Sequence, residues 1–577
     1  MAKTGILDVR QKLVELLAGA AAEAQRTGKL PQVALPDAFI EHPQNPEHGD
    51  FATGYSLKLA RSAGAKPMTI AEELVGLMPK GPEIGSIVVA PPGFINFTLK
   101  NEWLAGQVDE ILAAGTSYGN VEIGKGSRVQ VEFVSINPTG PLHVGHGRGA
   151  VLGSTLANVL TAAGYSVEKE YYFNDAGNQM AIFNRSLYIR YLQALGKEAE
   201  MPKDAYMGNY MIDMAGEIVA AEGDRFLKMD EADGVAGVGK LGLERLRGQI
   251  KEELQLLGID FDSWFNEQSL YSEGQYDTVM SLLRQGGYLV DKEGAPPITF
   301  ATDTAPDHAP AIATWFVSSA LGEDVDNVVV RSDGSPTYFA TDIAYHYNKF
   351  LERKFDRVID IWGADHHAHM PRLKAAIDAL GVDPERLEVI AHQMVTLRRG
   401  GELVRISKRT GELITLEEVV EEVGKDACRF FFLARSANSQ MDFDLELAKK
   451  ESADNPVYYV QYAHARISSI LRLAEERGID SGGGDVSLLT SEPELILIRK
   501  LLLLPELVEM VAHTLEPHHL TYYAQELATV FHSFYKQCRV VSDDEAMTKA
   551  RLKLVEAART VLAKTLHLMG MAAPEKM

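Results

Sequence analysis

Between residues 125 and 430 the sequence alternates between short strand-like runs and longer stretches with helical periodicity. The strand-like runs are RVQVEFVSI, SVEKEYYF, DNVVVRS, RVIDIWG and LEVIAHQMV. Strands that alternate with helices along the chain are typical of parallel sheets covered by helices on both faces. The pattern therefore predicts an α/β fold with a parallel sheet.

Two further blocks flank this central one. Residues 1–112 combine an amphipathic helical stretch with the strand-like runs GSIVVA and GFINFTL, which predicts a small α+β module. Residues 431–577 show helical periodicity, which predicts an all-α block. Inside the central block, residues from about 195 to 300 are mostly helical and polar and are interpreted as an insertion.

The composition is that of an ordinary globular protein, with 46% apolar and 24% charged residues. Its two cysteines are too few for a disulfide framework or a cysteine zinc site, so we expect a cytoplasmic protein without zinc. The stretch LILIRKLLLLPELV is interrupted by charges and a proline, which argues against a membrane span. A net charge of −23 argues against non-specific nucleic-acid binding but permits a specific RNA surface.

The stretch PLHVGHGRG, residues 141–149, lies between the first strand-like run and a helical stretch. At such a junction the N–H groups of a helix N-terminus face phosphate. His143 and His146 are three residues apart and project from one face of the first turn, while Gly145 leaves bare backbone for a flat base. The pattern favours a phosphate-binding turn, and capping or surface histidines beside a tight turn are the alternative.

A second basic segment, LRRGGELVRISKRTG, occupies residues 397–411. Ile406, Ser407 and Lys408 lie between its glycines, where a mobile loop can close over a triphosphate. A solvated basic surface is the alternative interpretation. Together, HVGH and this loop resemble the two signatures of class I aminoacyl-tRNA synthetases. The lysine motif of that family falls on RISKR, in which Arg405 replaces the first lysine and Lys408 retains the second.

More segments, in the right order, resemble the arginyl-tRNA synthetases along nearly the whole chain. They are HGDFAT, PGFINF, VEFVSINPTGPLHVGHGRGA, YYFNDAGNQ, YMGNY, GIDFDSW, SPTYFATDIAYH, WGADHHAH, SKRTGE, YYVQYAHARI and LMGMAAPEKM. The resemblance implies a Rossmann-like catalytic core, an N-terminal module peculiar to the family and a C-terminal helical bundle that binds the anticodon.

The resemblance also implies a set of arginine-binding residues. They are Glu132, Ser135, Asn137, Tyr338 and Asp342. These residue types suit arginine, because its guanidinium stays protonated and offers five donors that carboxylates and planar acceptors can satisfy. Taken alone, Asp342 is equally suited to cap a helix, and Tyr338 to be a half-buried strand residue. Recognition through buried polar pairs requires no editing domain.

The segment GADHHAH admits a different chemistry. Its potential metal ligands are Asp365, His366, His367 and His369. The DHH triplet also marks a family of manganese phosphoesterases, whose two-metal sites need Asp-rich motifs upstream. The only upstream candidate, Asp324 with Asp326, lies in a loop-like acidic turn, so we predict no metal site. The resemblance instead places the ATP ribose at Gly363, Asp365 and His366, with a carboxylate that accepts ribose hydroxyls.

Two segments are predicted to contact tRNA. Tyr459, Gln461 and Arg466 lie on a predicted helix, where aromatic and guanidinium groups stack on and pair with splayed anticodon bases. Because one face of that helix must be buried, some of these side chains belong to the core instead. The resemblance places Phe94 and Asn96 at the outer corner of the tRNA, and a core strand position is the alternative for Phe94.

The resemblance implies an enzyme that activates L-arginine with ATP and transfers it to the 3′ end of tRNA(Arg). Positioning and charge stabilisation would carry the catalysis, with His143, His146 and Lys408 at the phosphates and Mg²⁺ bound by ATP itself. We expect a monomer. A tRNA-binding or regulatory paralogue is the alternative, but both signatures and both ends of the family are present.

Overall fold

The computed structural model describes residues 5–138, 140–293, 312–364, 369–404 and 414–577. Five of the predicted site residues lie outside these ranges, namely Asp365, His366, Ile406, Ser407 and Lys408. Within the described ranges, none of the helices has the length and apolar character that a membrane span requires.

The N-terminal block is an α+β module, which confirms this part of the predicted fold class. Its elements are α1 (Ile6–Arg26), β1 (Phe51–Thr53), α2 (Tyr55–Ala63), α3 (Pro67–Leu77), β2 (Ile84–Ala90), β3 (Phe94–Leu99) and α4 (Asn101–Ala114). The strands form an antiparallel sheet in the order β1-β3-β2. Burial alternates along β3, so Ile95 and Phe97 face the core while Phe94 and Asn96 lie on the outer face. Phe94 is therefore not a core residue.

A five-stranded parallel sheet organises the central block and confirms the predicted α/β core. The strands after β3 are β4 (Arg128–Glu132), β5 (Ser166–Phe173), β6 (Ser263–Asn266), β7 (Leu289–Glu293), β8 (Ile312–Phe316), β9 (Asn327–Val330), β10 (Arg357–Gly363), β11 (Leu387–His392), β12 (Val395–Arg399), β13 (Glu402–Leu403) and β14 (Met441–Asp444). The main sheet has the order β11-β10-β4-β5-β6, and every neighbouring pair is parallel. The carboxyl ends of these strands share one edge, where ligands bind in such sheets.

The described part of the central block has eleven α-helices, of which α5 packs on β4, β5 and β10 of this sheet. They are α5 (Val144–Ala162), α6 (Gly177–Ala194), α7 (Asn209–Glu222), α8 (Glu231–Leu256), α9 (Glu267–Ser272), α10 (Gln275–Gln285), α11 (Tyr338–Tyr347), α12 (Met370–Ala379), α13 (Leu416–Val423), α14 (Lys425–Leu433) and α15 (Leu445–Ala448). Helix α5 is buried almost throughout from Gly147 onwards. A Cβ at Gly153 would overlap the Phe133 ring, so this glycine allows α5 to pack closely on the end of β4.

Two expectations about strand pairing differ from the structure. The run DNVVVRS was predicted to join the parallel sheet, and this is wrong, because β9 belongs to a separate antiparallel sheet of order β7-β8-β9. The stretch 195–300 contains helices but also β6, which returns to the main sheet beside β5. It is therefore not one continuous insertion. A strand-like pattern indicates burial, but it does not indicate which strand will be the partner.

Helices dominate the chain after residue 430. They are α16 (Pro456–Glu476), α17 (Glu492–Leu502), α18 (Leu504–Thr514), α19 (His518–Gln537) and α20 (Glu545–Leu568). The exception is β14, which pairs in parallel with β12 and so joins this region to the central block. Arg429 is fully buried and donates to the carbonyl of Leu257 (3.0 Å), the hydroxyl of Ser154 (2.8 Å) and the carbonyl of Met569. One guanidinium thus connects α8, α5 and the end of α20.

Candidate active site

The turn between β4 and α5 places both predicted histidines at the first turn of the helix. Nδ1 of His143 accepts the N–H of Gly145 at 3.1 Å, and Nδ1 of His146 accepts the N–H of His143 at 3.2 Å. Their rings stack with centroids 3.4 Å apart. Because each Nδ1 accepts a backbone N–H, each Nε2 carries the proton and is able to donate to a phosphate oxygen. Capping and phosphate binding therefore use different atoms and are compatible.

Both imidazoles are neutral in this arrangement. Burial lowers the pKa of His143, and burial together with His143 and His392 lowers the pKa of His146 to about 3. The two rings thus offer N–H donors rather than full positive charges. Any cationic contribution at this end of the site has to come from elsewhere in the chain.

The described residues that follow the basic segment lie directly beside this turn. Residues 405–413 lie outside the described part of the chain, but the residues that follow them are described. The N–H of Val144 donates to the carbonyl of Ile414 at 3.3 Å, and the N–H of Leu416 donates to the carbonyl of Leu142 at 2.8 Å. The chain therefore leaves the basic loop at the HVGH turn, where the two signatures have to meet if they bind one triphosphate.

Sequence reasoning missed two residues that hold this turn in place. Glu253 on α8 accepts the N–H of Leu142 at 2.8 Å, and burial raises the pKa of Glu253 to about 7. Arg148 is fully buried and donates to the carbonyls of Gln393, Ser439 and Ser436 at 2.8–2.9 Å. Arg148 lies inside the quoted HVGHGRG motif, whereas nothing in the sequence points from α8 to Leu142.

At the opposite end of the site, three carboxylates converge on Tyr172. Glu132 ends β4, Glu267 begins α9 directly after β6, and Asp342 lies on α11. Burial raises the pKa of Tyr172 well above its usual value, and Glu267, Asp342 and Glu132 raise it further, so all three carboxylates lie within electrostatic range of one phenol. The structure thus brings two predicted arginine ligands together with Glu267, which sequence reasoning missed.

Glu267 is the most telling of the missed residues. Its exposed fraction is 4%, and burial raises the pKa of its carboxyl to about 7, with further contributions from Asp342 and Asp175. A hydrogen bond from Tyr172 opposes this rise. The sequence offered one signal for Glu267, which was its position directly after a strand. Glu267 follows β6 and Glu132 ends β4, so both lie at the same edge of the sheet.

Asp342 is held by a chain of two side chains. Nε2 of His369 lies 2.6 Å from Oδ2 of Asp342, and Nε of Arg372 donates to Nδ1 of His369 at 2.6 Å. Because a guanidinium can only donate, Nε2 of His369 carries the proton and donates to the carboxylate. The N-cap of α11 is Thr337, so the helix-cap alternative for Asp342 is wrong.

The remaining predicted arginine ligands occupy different environments. Tyr338 is the half-buried first residue of α11, so it is not a strand residue. Ser135 has a φ of 40° and its hydroxyl accepts the N–H of Tyr172 at 3.0 Å, which links the loop after β4 to β5. Asn137 is exposed on the same loop. Gly363 ends β10, two residues before the undescribed Asp365.

The predicted anticodon contacts include a group of aromatic side chains around Arg466. Nη2 of Arg466 donates to the Tyr462 hydroxyl at 2.7 Å, and its guanidinium lies 4.7 Å from the centroid of the Tyr462 ring and 5.4 Å from that of Tyr535. Tyr459 lies 5.1 Å from the His532 ring. His532 is buried, and the partly or fully exposed Tyr459, Tyr462, Arg466 and Tyr535 form a surface on which unstacked bases can lie.

Gln461 differs from its neighbours on α16. Its Nε2 donates to the Asp426 carboxylate at 2.7 Å and to the carbonyl of Ala572 at 3.1 Å. These bonds connect the C-terminal tail to α14. The amide of Gln461 therefore has structural partners within the chain, unlike a side chain held ready for a base.

Comparisons with known proteins agree with this architecture. Three family models match successive parts of the chain: "Arginyl tRNA synthetase N terminal domain" at residues 10–99, "tRNA synthetases class I (R), catalytic domain" at 107–467 and "DALR anticodon binding domain" at 460–577. A crystal structure of the Thermus thermophilus arginyl-tRNA synthetase has the same fold, with a TM-score of 0.72 at 23% identity over 98% of this chain and 100% of that one.

Curated relatives match over the whole length. An arginine–tRNA ligase of Dehalococcoides mccartyi is 58% identical over 572 residues, which is 99% of this chain and 100% of the relative. An arginine–tRNA ligase of Moorella thermoacetica is 48% identical over 576 residues, again 99% of this chain and 100% of the relative. With its catalytic block, both flanking blocks and its full length matched, the chain belongs to the arginine–tRNA ligases, the arginyl family of class I tRNA synthetases.

Proposed function

We propose that this chain activates L-arginine with ATP and transfers the arginyl group to the 3′ end of tRNA(Arg). The observation that carries the proposal is the convergence around Tyr172 of Glu132 and Glu267, which lie at the carboxyl ends of two main-sheet strands, with Asp342 of α11. Arginine brings both a guanidinium and an ammonium group to such a pocket, whereas an amino acid with an uncharged side chain brings only the ammonium group and leaves a carboxylate without its substrate partner. Each buried carboxylate that lacks its substrate partner costs about 1–3 kcal/mol or more. The pocket is therefore selective for an amino acid that carries two positive groups, as arginine does.

In the first step the arginine carboxylate attacks the α-phosphorus of ATP in line, and pyrophosphate leaves. No protein nucleophile is needed, so the site works by positioning and by stabilising charge. The Nε2–H groups of His143 and His146 would donate to phosphate oxygens, and Gly145 would lie under the nucleotide. Mg²⁺ that accompanies ATP would neutralise part of the charge on the phosphates.

The remaining ATP contacts of the proposal lie in the undescribed segments. Ile406, Ser407 and Lys408 would close over the triphosphate, and Gly363, Asp365 and His366 would hold the ribose. Support comes from the described flanks, because the chain leaves the basic loop at the HVGH turn and Gly363 ends a strand of the main sheet.

In the second step a ribose hydroxyl of the tRNA 3′ end attacks the carbonyl carbon of arginyl-adenylate, and AMP leaves. Tyr459 and Arg466 would contact the anticodon, and Phe94 and Asn96 the outer corner of the tRNA. The aromatic surface around Arg466 and the outward position of both β3 side chains support these roles. Gln461 would act indirectly, by holding the C-terminal tail beside that surface.

We also propose that residues 1–112, 125–430 and 431–577 form the tRNA-corner module, the catalytic domain and the anticodon module of a cytoplasmic monomer. The antiparallel β1-β3-β2 sheet, which shares no strand with the main sheet, supports an N-terminal module. Both cysteines are buried and unpaired, which suits a reducing compartment.

Pyrophosphate exchange with each of the twenty amino acids, in the presence and absence of tRNA(Arg), tests the proposal. We expect exchange with arginine and with no other amino acid, and arginylation of tRNA(Arg) in a charging assay. Exchange with a different amino acid would overturn the pocket assignment. The absence of exchange under both conditions would identify a paralogue that binds tRNA without activating an amino acid.

A further inference from the structure

A lysine that touches no predicted substrate atom lies beneath the arginine pocket. Lys349 belongs to a π-helical turn, Asn348–Glu352, that directly follows α11. The side chain of Lys349 is fully buried, which is unusual for an ammonium group and requires close anionic partners. Such π-turns often occur at functional sites, because the extra residue redirects a side chain.

The ammonium group of Lys349 bridges two buried carboxylates. Nζ lies 2.5 Å from Oε2 of Glu132 at the end of β4 and 2.8 Å from Oδ1 of Asp360 on β10. The described hydrogen bond of Glu132 uses only Oε2. The other carboxylate oxygen, Oε1, is the atom through which Glu132 would meet the substrate.

The neighbouring carboxylates have further partners of their own. Asp360 also accepts from Nε2 of His346 on α11 at 2.9 Å. Glu170 on β5 is paired with Arg353, whose Nη1 donates to Glu170 Oε1 at 3.0 Å. Among the described residues, Lys349 is the cation that contacts Glu132, so the loss of this one ammonium group would isolate Glu132 more than Asp360 or Glu170.

We propose that Lys349 is a positioning residue for arginine recognition, which holds the Glu132 carboxylate ionised and fixes the direction of Oε1. The inference rests on the proposed function, in which Glu132 contacts arginine. Burial, followed by Asp360 and Glu170, raises the pKa of Glu132 above its usual value, and Lys349 is the group that opposes this rise. The Tyr345 hydroxyl, which faces the same cluster, donates to Glu170 rather than to Glu132.

The test compares Lys349→Met with Lys354→Met, an exposed lysine in the same segment. A buried glutamate without a cation has a pKa of about 8–9. We therefore expect Lys349→Met to have a kcat/KM for arginine at pH 7 that is about ten- to hundredfold below that of the parent protein. As the pH is raised towards 8.5, kcat/KM of this variant should increase about tenfold per pH unit. The KM for ATP should change by less than about twofold. Lys354→Met should behave like the parent protein in both respects.

Two further variants separate positioning from a merely structural role. In a Glu132→Gln background, adding Lys349→Met should cost little more arginine efficiency, because its partner carboxylate is already gone. Lys349→Arg keeps a cation and should show a pH profile like that of the parent. It also provides an informative variant if Lys349→Met does not fold.

The possible outcomes distinguish the role of Lys349 from the assignment of Glu132 to the arginine pocket. If Lys349→Met folds and uses arginine with the parent's KM and pH profile, or if its effect simply adds to that of Glu132→Gln, the role of Lys349 is structural and the inference is overturned. If Lys349→Met does not fold, a new pH dependence in Lys349→Arg overturns it instead. If Glu132→Gln itself leaves arginine use unchanged, the pocket assignment under the proposed function fails first.

Discussion

The two ends of the active site handle charge in opposite ways. At the phosphate end, His143 and His146 are neutral, and they are oriented by hydrogen bonds to the backbone of their own turn. At the arginine end, buried or half-buried carboxylates are oriented by side chains from distant elements, namely Lys349 for Glu132 and the His369–Arg372 pair for Asp342. One end is built from local sequence and the other from tertiary structure.

The difference follows from what each end has to accomplish. ATP brings a polyanion that every synthetase of this class binds, and its pyrophosphate product has to leave, which neutral donors at a helix N-terminus permit. Arginine has to be distinguished from other amino acids, and fixed charges that stay unpaired with the wrong substrate achieve this discrimination. The charged end therefore needs buried side chains that pair with its carboxylates, whereas the buried Glu253 and Arg148 at the neutral end hold backbone groups.

The largest expected effect separates capping from phosphate binding at the neutral end. Asparagine is among the best N-cap residues, so His143→Asn should retain the start of α5 while it removes the Nε2–H donor. We expect kcat for arginine-dependent pyrophosphate exchange to fall about 10²–10³-fold, with an unchanged melting temperature. Exchange kinetics measure kcat, and a thermal melt of the same preparation measures the melting temperature. A kcat close to that of the parent would leave His143 with the capping role alone.

The next effect tests the charged end. Asp342→Asn keeps the size of the side chain but removes a charge-assisted contact worth about 1.5–3 kcal/mol, so kcat/KM for arginine should fall about ten- to hundredfold. The KM for ATP should hardly change, because Asp342 lies at the opposite end of the site. Asp333→Asn, an exposed change in the loop before α11, is the control. Equal losses for arginine and ATP would mean that the variant disturbs the whole site.

The sequence predicted the local geometry of the HVGH turn, because the parts of this turn are consecutive. The histidines, Gly145 and the start of α5 all lie within one short motif, so the spacing of residues in the chain is also their spacing in space. The parallel core followed in the same way from the alternation of strands and helices. A local sequence pattern is sufficient to predict a site when the contacts of that site join residues that are close together in the chain.

The charged end was predicted only in part, because its members come together through the order of the strands. Glu267 reaches the pocket because β6 pairs with β5, and the region around β6 had been interpreted as an insertion. Lys349 reaches Glu132 because β10 lies beside β4 and α11 leads into the π-turn. His369 was considered as a metal ligand, and it binds Asp342 instead. No periodicity in the sequence encodes these partners.

A smaller effect concerns the pH dependence of arginine use. Because the pKa of Glu267 is raised to about 7 in the free protein, its carboxyl is mostly protonated below that pH and ionised above it. If ionised Glu267 binds the cationic substrate, kcat/KM for arginine should rise roughly tenfold between about pH 6 and pH 8. Glu267→Gln should be less efficient and should lose this rise. An identical pH profile in the parent and in Glu267→Gln would exclude Glu267 from the pocket.

The smallest expected effect is the matching measurement at the phosphate end. Because the pKa of His146 is lowered to about 3, its ring stays neutral throughout the range in which Glu267 titrates, and burial also lowers the pKa of His143. The KM for MgATP, measured with saturating arginine at each pH, should therefore change by less than about twofold between about pH 6 and pH 8. Excess Mg²⁺ keeps the nucleotide in one ionic form, so that the protein's own groups determine the profile.

If ATP use instead weakened about tenfold towards pH 8, a histidinium would be binding the phosphates, and the contrast between a neutral and a charged end would fail. A flat ATP profile beside a rising arginine profile, recorded on one preparation, would assign the titrating group to the carboxylate end alone.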